Sequence, residues 1–188
     1  MSAEHISTTF PRRRVGTTDL EVSVMALGAA PLGGLFRASS QRDASETIAA
    51  ALDGGINFLD VAPLYGEGLA EQRVGVGLSE LSARDLVLST KVGRLLEPTD
   101  HSTRAADWAE GLFNTVAYNT TPDGIRRSLK DSIARLRGAR PSVLLLHDPD
   151  RNASPADLPG VIAEAYETMS ALRKEGAVTA IGLGVNAP

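Results

Sequence analysis

Asn57-Phe58-Leu59-Asp60-Val61-Ala62-Pro63-Leu64-Tyr65-Gly66 reads as a short apolar strand that ends on a carboxylate and passes into a proline-bearing loop. The pattern recurs along the chain. Leu86-Val-Leu-Ser-Thr-Lys91 ends on an ammonium and Ser142-Val-Leu-Leu-Leu-His147 on an imidazole, while Tyr65 lies just past the first strand. Val24–Leu27 and Val178–Val185 extend the series of strand-like runs at either end. All are short apolar runs without strict alternation, as expected of strands buried on both faces. Helical patterns separate them. Ser40 and Asp43 make a capping-box start ahead of Ala44, Ile48 and Leu52, with Gly54-Gly55 as the stop. Thr121-Pro122 opens a second helix with the stripe Ile125, Leu129, Ile133 and Leu136. Ser154-Pro155 opens a third, with Val161, Ile162, Ala165, Met169 and Leu172 inward and Gly176 at its end. This alternation predicts successive strand-helix units on a parallel sheet. Asp60, Tyr65, Lys91 and His147 then fall at the C-terminal strand ends, the side on which α/β barrels carry their chemistry.

Length and composition narrow the class. A chain of 188 residues suits one domain, here residues 1–188, with a sizeable core. The net charge of −4 gives no reason to expect a nucleic-acid partner or an anionic membrane surface. Cysteine is absent, which removes disulfides, thiolate metal sites and thiol nucleophiles. No apolar run is long enough to span a bilayer, and Met1 to Arg14 lacks the apolar core of a signal peptide, so a cytoplasmic location is expected. His5, His101 and His147 are isolated in sequence, and no metal site is expected. Gly75-Val-Gly77 lies in a helical stretch and follows no strand, so it is not a dinucleotide loop.

Of the nineteen basic residues only Lys91, Lys130 and Lys174 are lysine. Lys130 and Lys174 sit in helical patterns, where a solvated face accounts for them. Lys91 ends an apolar run, where a charge is costly without a partner. A phenol is a poor acid-base catalyst at neutral pH, and an adjacent ammonium favours its anion. Asp60 can hold such an ammonium in place, and His147 can orient a carbonyl oxygen or share the proton. Taken singly, Asp60 reads equally well as a helix cap and Tyr65 as a loop aromatic. Their convergence with Lys91 and His147 is better explained by proton transfer to or from an oxygen.

These residues resemble the aldo-keto reductase family over essentially the whole chain. The resemblance implies an α/β fold of TIM (β/α)8 barrel type and hydride transfer between NADP or NAD and a carbonyl carbon. It implies that Tyr65 is the general acid in reduction and the general base in oxidation, tuned by Lys91 and Asp60. His147 would position the substrate, and Asn186 in Gly182-Leu-Gly-Val-Asn186 would contact the nicotinamide carboxamide. Val185 stands where the family often has serine. Gly28 and Asp60 are further expected at the cofactor, and Tyr65, His147 and Trp108 at the substrate. Ala26-Leu-Gly28-Ala-Ala-Pro-Leu-Gly33-Gly and His147-Asp-Pro-Asp150 resemble the aldose-oxidising branch, which implies a sugar or another small carbonyl or alcohol as substrate. Asp148 and Asp150 read either as ligands of sugar hydroxyls or, preferably, as a solvated acidic turn.

Two segments stand outside the alternation. Arg12 to Val22, with the turn Gly16-Thr17-Thr18-Asp19, predicts a hairpin over about residues 10–22 that plugs the bottom of a barrel. Residues 92–120 show no clear period yet carry Trp108, Phe113 and Tyr118, and are expected to form a long loop over the active face. A full barrel of this type takes about 250 residues, with its phosphate site after the seventh and eighth strands. The expectation is therefore a barrel truncated after about the fifth strand, with an unpaired edge prone to self-association. A non-catalytic binding protein and an inactive fragment stay open as alternatives to an enzyme.

Overall fold

In a computed structural model, the described residues are 10–81, 85–99, 108–112 and 114–186. Strands β1 (Arg12–Arg14) and β2 (Glu21–Ser23) form an antiparallel hairpin. The strand-helix series follows as β3 (Leu27–Gly28), α1 (Gln41–Asp53), β4 (Phe58–Asp60), α2 (Leu69–Ser79) and β5 (Val87–Val92). A second antiparallel pair, β6 (Arg94–Pro98) and β7 (Asn114–Tyr118), precedes α3 (Pro122–Arg135) and β8 (Val143–His147). A single turn of helix, α4 (Pro149–Asn152), then leads to α5 (Leu158–Lys174) and β9 (Ala180–Gly184). The main sheet has the order β3-β4-β5-β8-β9, and every pair in it is parallel.

Strand parity divides the sheet into two faces. Leu59 and Leu88 point toward α1 and α2, where they join Ala44, Ile48, Val74 and Leu136 in one core. Val92, Leu144 and Leu146 point toward α3 and α5 and pack with Ile125, Leu129, Ala165, Met169 and Leu172 in a second. The opposite parity of the same strands carries Phe58, Val87, Val143, Leu145 and Ala180, which meet Val15, Leu20 and Val22 of the hairpin. The hairpin thus seals the N-terminal end of that face. Further along it, at the C-terminal end, the same parity brings Asp60, Ser89, Lys91 and His147. Register fixes their spacing, because Asp60 pairs with Ser89, Lys91 with Leu145 and His147 with Gly184.

The helix starts follow local chemistry. Ser40 and Asp43 bond reciprocally across the first turn of α1, and the Thr121 side chain accepts from Gly124 N ahead of Pro122. Ser154 Oγ and Asp157 close a turn that precedes α5, so the helix begins at Leu158, later than the Ser-Pro pair suggests. The run Val24–Leu27 also differs from its reading as a buried strand. Val24 N donates to Pro11 O, prolonging the hairpin, and Val24 and Met25 are about half exposed at 47% and 51%. Sheet pairing therefore starts only at Leu27. Gly75 packs α2 directly onto the end of α3, since a Cβ there would lie 2.6 Å from Leu136 C. Close helix packing is what that glycine serves.

Candidate active site

Asp60 closes β4, and the chain turns through Ala62-Pro63 into a 3-10 turn at Tyr65–Gly68 that carries the phenol back over the sheet. Gly66 makes this return feasible: its φ is 60°, and its backbone lies against Gly33 so closely that a Cβ has no room. Lys91, on β5, reaches across to both groups. Its Nζ donates to Asp60 Oδ2 at 2.6 Å, to Tyr65 OH at 2.9 Å and to Val61 O at 3.2 Å. An ammonium has three donors, and all three are engaged. Ser89 Oγ donates to the other Asp60 oxygen at 2.6 Å and so fixes the carboxylate from its far side.

His147 ends β8 with its ring edge-on to Tyr65, the centroids 5.9 Å apart and the planes at 89°. Burial first, and then the positive charges of Lys91 and Arg94, push the imidazole down to about 3. The Asp148 carboxylate, 3.6 Å from Nε2, does not offset this. The imidazole therefore favours its neutral form at physiological pH, with one ring N–H and one acceptor nitrogen. Its Nδ1 is buried without a hydrogen-bond partner. Trp108 lies 6.2 Å from the Tyr65 ring, held by a bridge between Leu35 and Trp108 and by Ala109 N donating to Gly34 O.

An open cleft of about 810 Å³ lies over these groups, lined among others by Phe36, Asp60, Tyr65, Lys91, His147, Gly184 and Asn186. Asp60, Tyr65, Lys91, His147 and Asn186 thus line one cleft, whereas Trp108, its ring tilted by 41° against Tyr65, is not among the residues that line it. Gly28 pairs with Asp60 in the sheet but is exposed, and it lines a smaller neighbouring pocket rather than this cleft. Asp148 departs most from its reading as a solvated turn. It is only 8% exposed, takes the left-handed φ of 45°, and accepts from Arg94 at 3.3 Å and from Asn186 Nδ2 at 2.9 Å. Sequence alone signals neither Ser89 nor Arg94, since each acts through a partner set by sheet register. Glu71, close to Tyr65 in sequence, belongs to the other side of the sheet: it is fully buried and bonded to Thr90 and Arg135.

In the 92–120 segment, Gly93 with φ 97° separates β5 from β6, and β6 pairs antiparallel with β7, so part of that stretch is regular structure. Phe113 lies outside the described residues, as do His5 and His101. Among the described residues no group of three acidic, histidine or cysteine side chains is placed to hold a metal ion. No helix among them is long and apolar enough to cross a membrane.

A buried lysine bridging a carboxylate and a phenol, with a histidine opposite, at the C-terminal ends of parallel strands, gathers groups able to exchange a proton around one cleft. The aldo/keto reductase family matches residues 24–187, and the chain belongs to that family. It is similar to the D-threo-aldose 1-dehydrogenase of a Pseudomonas species, 38% identical over 170 residues that make up 88% of this chain and 50% of that protein. It is similar also to the pyridoxal 4-dehydrogenase of Microbacterium luteolum, 35% identical over 93% of this chain and 55% of the relative. Among solved structures, the glycerol dehydrogenase of Gluconobacter oxydans superposes with a TM-score of 0.71 at 30% identity, over 94% of this chain and 49% of that one. The chain spans about half the length of the relatives it matches.

Proposed function

We propose that this chain carries the catalytic face of an NADP- or NAD-dependent oxidoreductase acting on an aldose or another small carbonyl or alcohol. In this reading β3, β4, β5, β8 and β9 are five successive strands of a TIM barrel. The observation that carries the proposal is the hydrogen-bonded line Asp60–Lys91–Tyr65, with separations of 2.6 and 2.9 Å, opening onto the cleft. Similarity to dehydrogenases of an aldose, of pyridoxal and of glycerol supports the choice of substrate class.

The residues present fit a nicotinamide ring. Gly184 leaves the cleft floor without a side chain, and a Cβ there would press on Lys91 Cε at 3.3 Å. Asn186 stands at the rim with its amide. The bound coenzyme supplies or accepts the hydride. The chain's own residues manage the proton. In reduction the Tyr65 hydroxyl gives its proton to the substrate oxygen, and Lys91 stabilises the negative charge that develops on the phenol. Asp60, fixed by Ser89, keeps the ammonium in place. His147 is a neutral hydrogen-bonding wall that orients the carbonyl, and Trp108 backs the phenol ring. In oxidation the phenolate takes the proton from the alcohol.

We propose a cytoplasmic location for the protein. Self-association is proposed at the β9 edge, where Leu183, Val185 and Tyr166 stand 45–56% exposed; light scattering at several concentrations checks it. The function itself is tested by Tyr65→Phe. This change keeps the ring contacts with Trp108 and His147 and removes only the hydroxyl. Turnover of aldoses or small aldehydes with NADPH or NADH is expected to fall by at least a hundredfold, with the coenzyme Kd unchanged. Retention of turnover in the variant rejects Tyr65 as the proton carrier.

A further inference from the structure

Asp148 lines the cleft beside the proposed nicotinamide contact and is anchored through both its backbone and its side chain. Its backbone N donates to Gly184 O at 2.7 Å, and Asn152 Nδ2 donates to its carbonyl at 2.7 Å. These bonds pin the turn that follows His147 against the end of β9. The side chain is gripped from the hairpin side by Arg94, at 3.3 Å. Its remaining oxygen, Oδ1, takes the Asn186 amide nitrogen at 2.9 Å.

A carboxylate facing a guanidinium offers acceptors only. An asparagine amide beside it therefore has one favourable orientation, with NH2 toward Asp148 and the carbonyl oxygen turned away. Among the described residues nothing else donates to that oxygen. We propose that Asp148 is a positioning residue that locks the Asn186 amide so that its carbonyl oxygen faces an occupant of the cleft, selecting a ligand that brings an N–H donor, such as a primary carboxamide. The inference rests on the nicotinamide reading above and deepens it. Arg94 serves the same end from one step further back: it holds the Asp148 carboxylate and thereby couples the β6–β7 hairpin to the coenzyme contact.

The test is a calorimetric titration of the chain with NADH and NADPH, and with their 3-acetylpyridine analogues, in which a methyl ketone replaces the carboxamide. Asp148→Gly removes the side chain yet tolerates the left-handed backbone of the turn, and both backbone anchors remain. Its Kd for the natural coenzyme that binds is expected to rise about tenfold. For the 3-acetylpyridine analogue, which has no amide N–H to give, the rise should be less than twofold. Asp148→Asn also tolerates the turn and restores an acceptor for Asn186, so its Kd should return to within about threefold of the parent chain. An equal loss for natural coenzyme and analogue means that Asp148 is merely structural and overturns the proposal. No loss for either, or no recovery in Asp148→Asn while that variant melts at the parent temperature, overturns it as well. If the parent chain binds none of the four compounds, the nicotinamide reading itself fails and takes this inference with it.

Discussion

Removing Asp60 should destabilise the fold more than removing Lys91, although the two share one ion pair. The pair is asymmetric: the Lys91 side chain is 7% exposed and that of Asp60 28%. Asp60→Ala leaves a buried ammonium with two neutral acceptors, Val61 O and Tyr65 OH, and one unfilled donor. Stranding one partner of a buried pair costs roughly 3–5 kcal/mol. The partial exposure of Asp60 lets water replace the carboxylate, which puts the expected loss near 3 kcal/mol. Lys91→Met keeps most of the side-chain volume and strands no buried charge, because Asp60 retains its bond from Ser89 and its access to solvent. The main penalty is an unpaired Val61 carbonyl, so the loss should be about 1.5 kcal/mol. The difference, about 1.5 kcal/mol, is roughly tenfold in the unfolding equilibrium. Equilibrium urea unfolding should be followed by far-UV circular dichroism, since Trp108 reports only locally on the site. With a slope near 2 kcal/mol/M the two midpoints should separate by about 0.7 M, Asp60→Ala being the lower. A Lys91→Met midpoint equal to or below that of Asp60→Ala would refute the assignment of the burial cost to the ammonium.

Two further outcomes test the electrostatics and the packing. His147, held down to about 3 in the fold against 6.5 in the unfolded chain, binds its proton first when unfolded. Its contribution is complete above about pH 6.5 and is lost as the pH falls toward 3, by on the order of 5 kcal/mol. Urea midpoints measured from pH 7 to pH 4 should therefore fall more steeply for the parent chain than for His147→Gln; parallel curves would show that the imidazole is not buried neutral. Gly75→Ala should lower the melting temperature, because its Cβ would lie 2.6–2.9 Å from the backbone of Leu136 and Arg135; overpacking of about 2 kcal/mol outweighs the helix-propensity gain of about 1 kcal/mol. Gly160→Ala in α5 meets nothing within 4 Å and should be neutral or raise the melting temperature by a degree or more. Equal shifts for the two alanines would remove the packing argument.

Local sequence determined the strand-helix alternation, the capped starts of α1 and α3, and the identity of the four polar strand-end residues. These are effects of nearest neighbours and of period: an apolar run that stops on a charged residue marks a strand end wherever it occurs. Parity even implied the shared face, since Phe58 and Asp60, Ser89 and Lys91, and Leu145 and His147 each lie two residues apart. The tertiary structure decided what those residues touch. Asp148 reads as a solvated turn because its neighbours are proline and another aspartate. Its burial comes from Arg94, 54 positions earlier, and Asn186, 38 positions later. The β6–β7 pair has no legible period because its antiparallel register joins residues up to 24 positions apart, Arg94 with Tyr118. Val24 and Met25 look like core and lie half exposed because the hairpin claims the Val24 amide before the sheet can pair with it. Neutral His147 is likewise a property of its surroundings: burial and two cations distant in sequence, not the residue's own chemistry, disfavour a second proton on the ring.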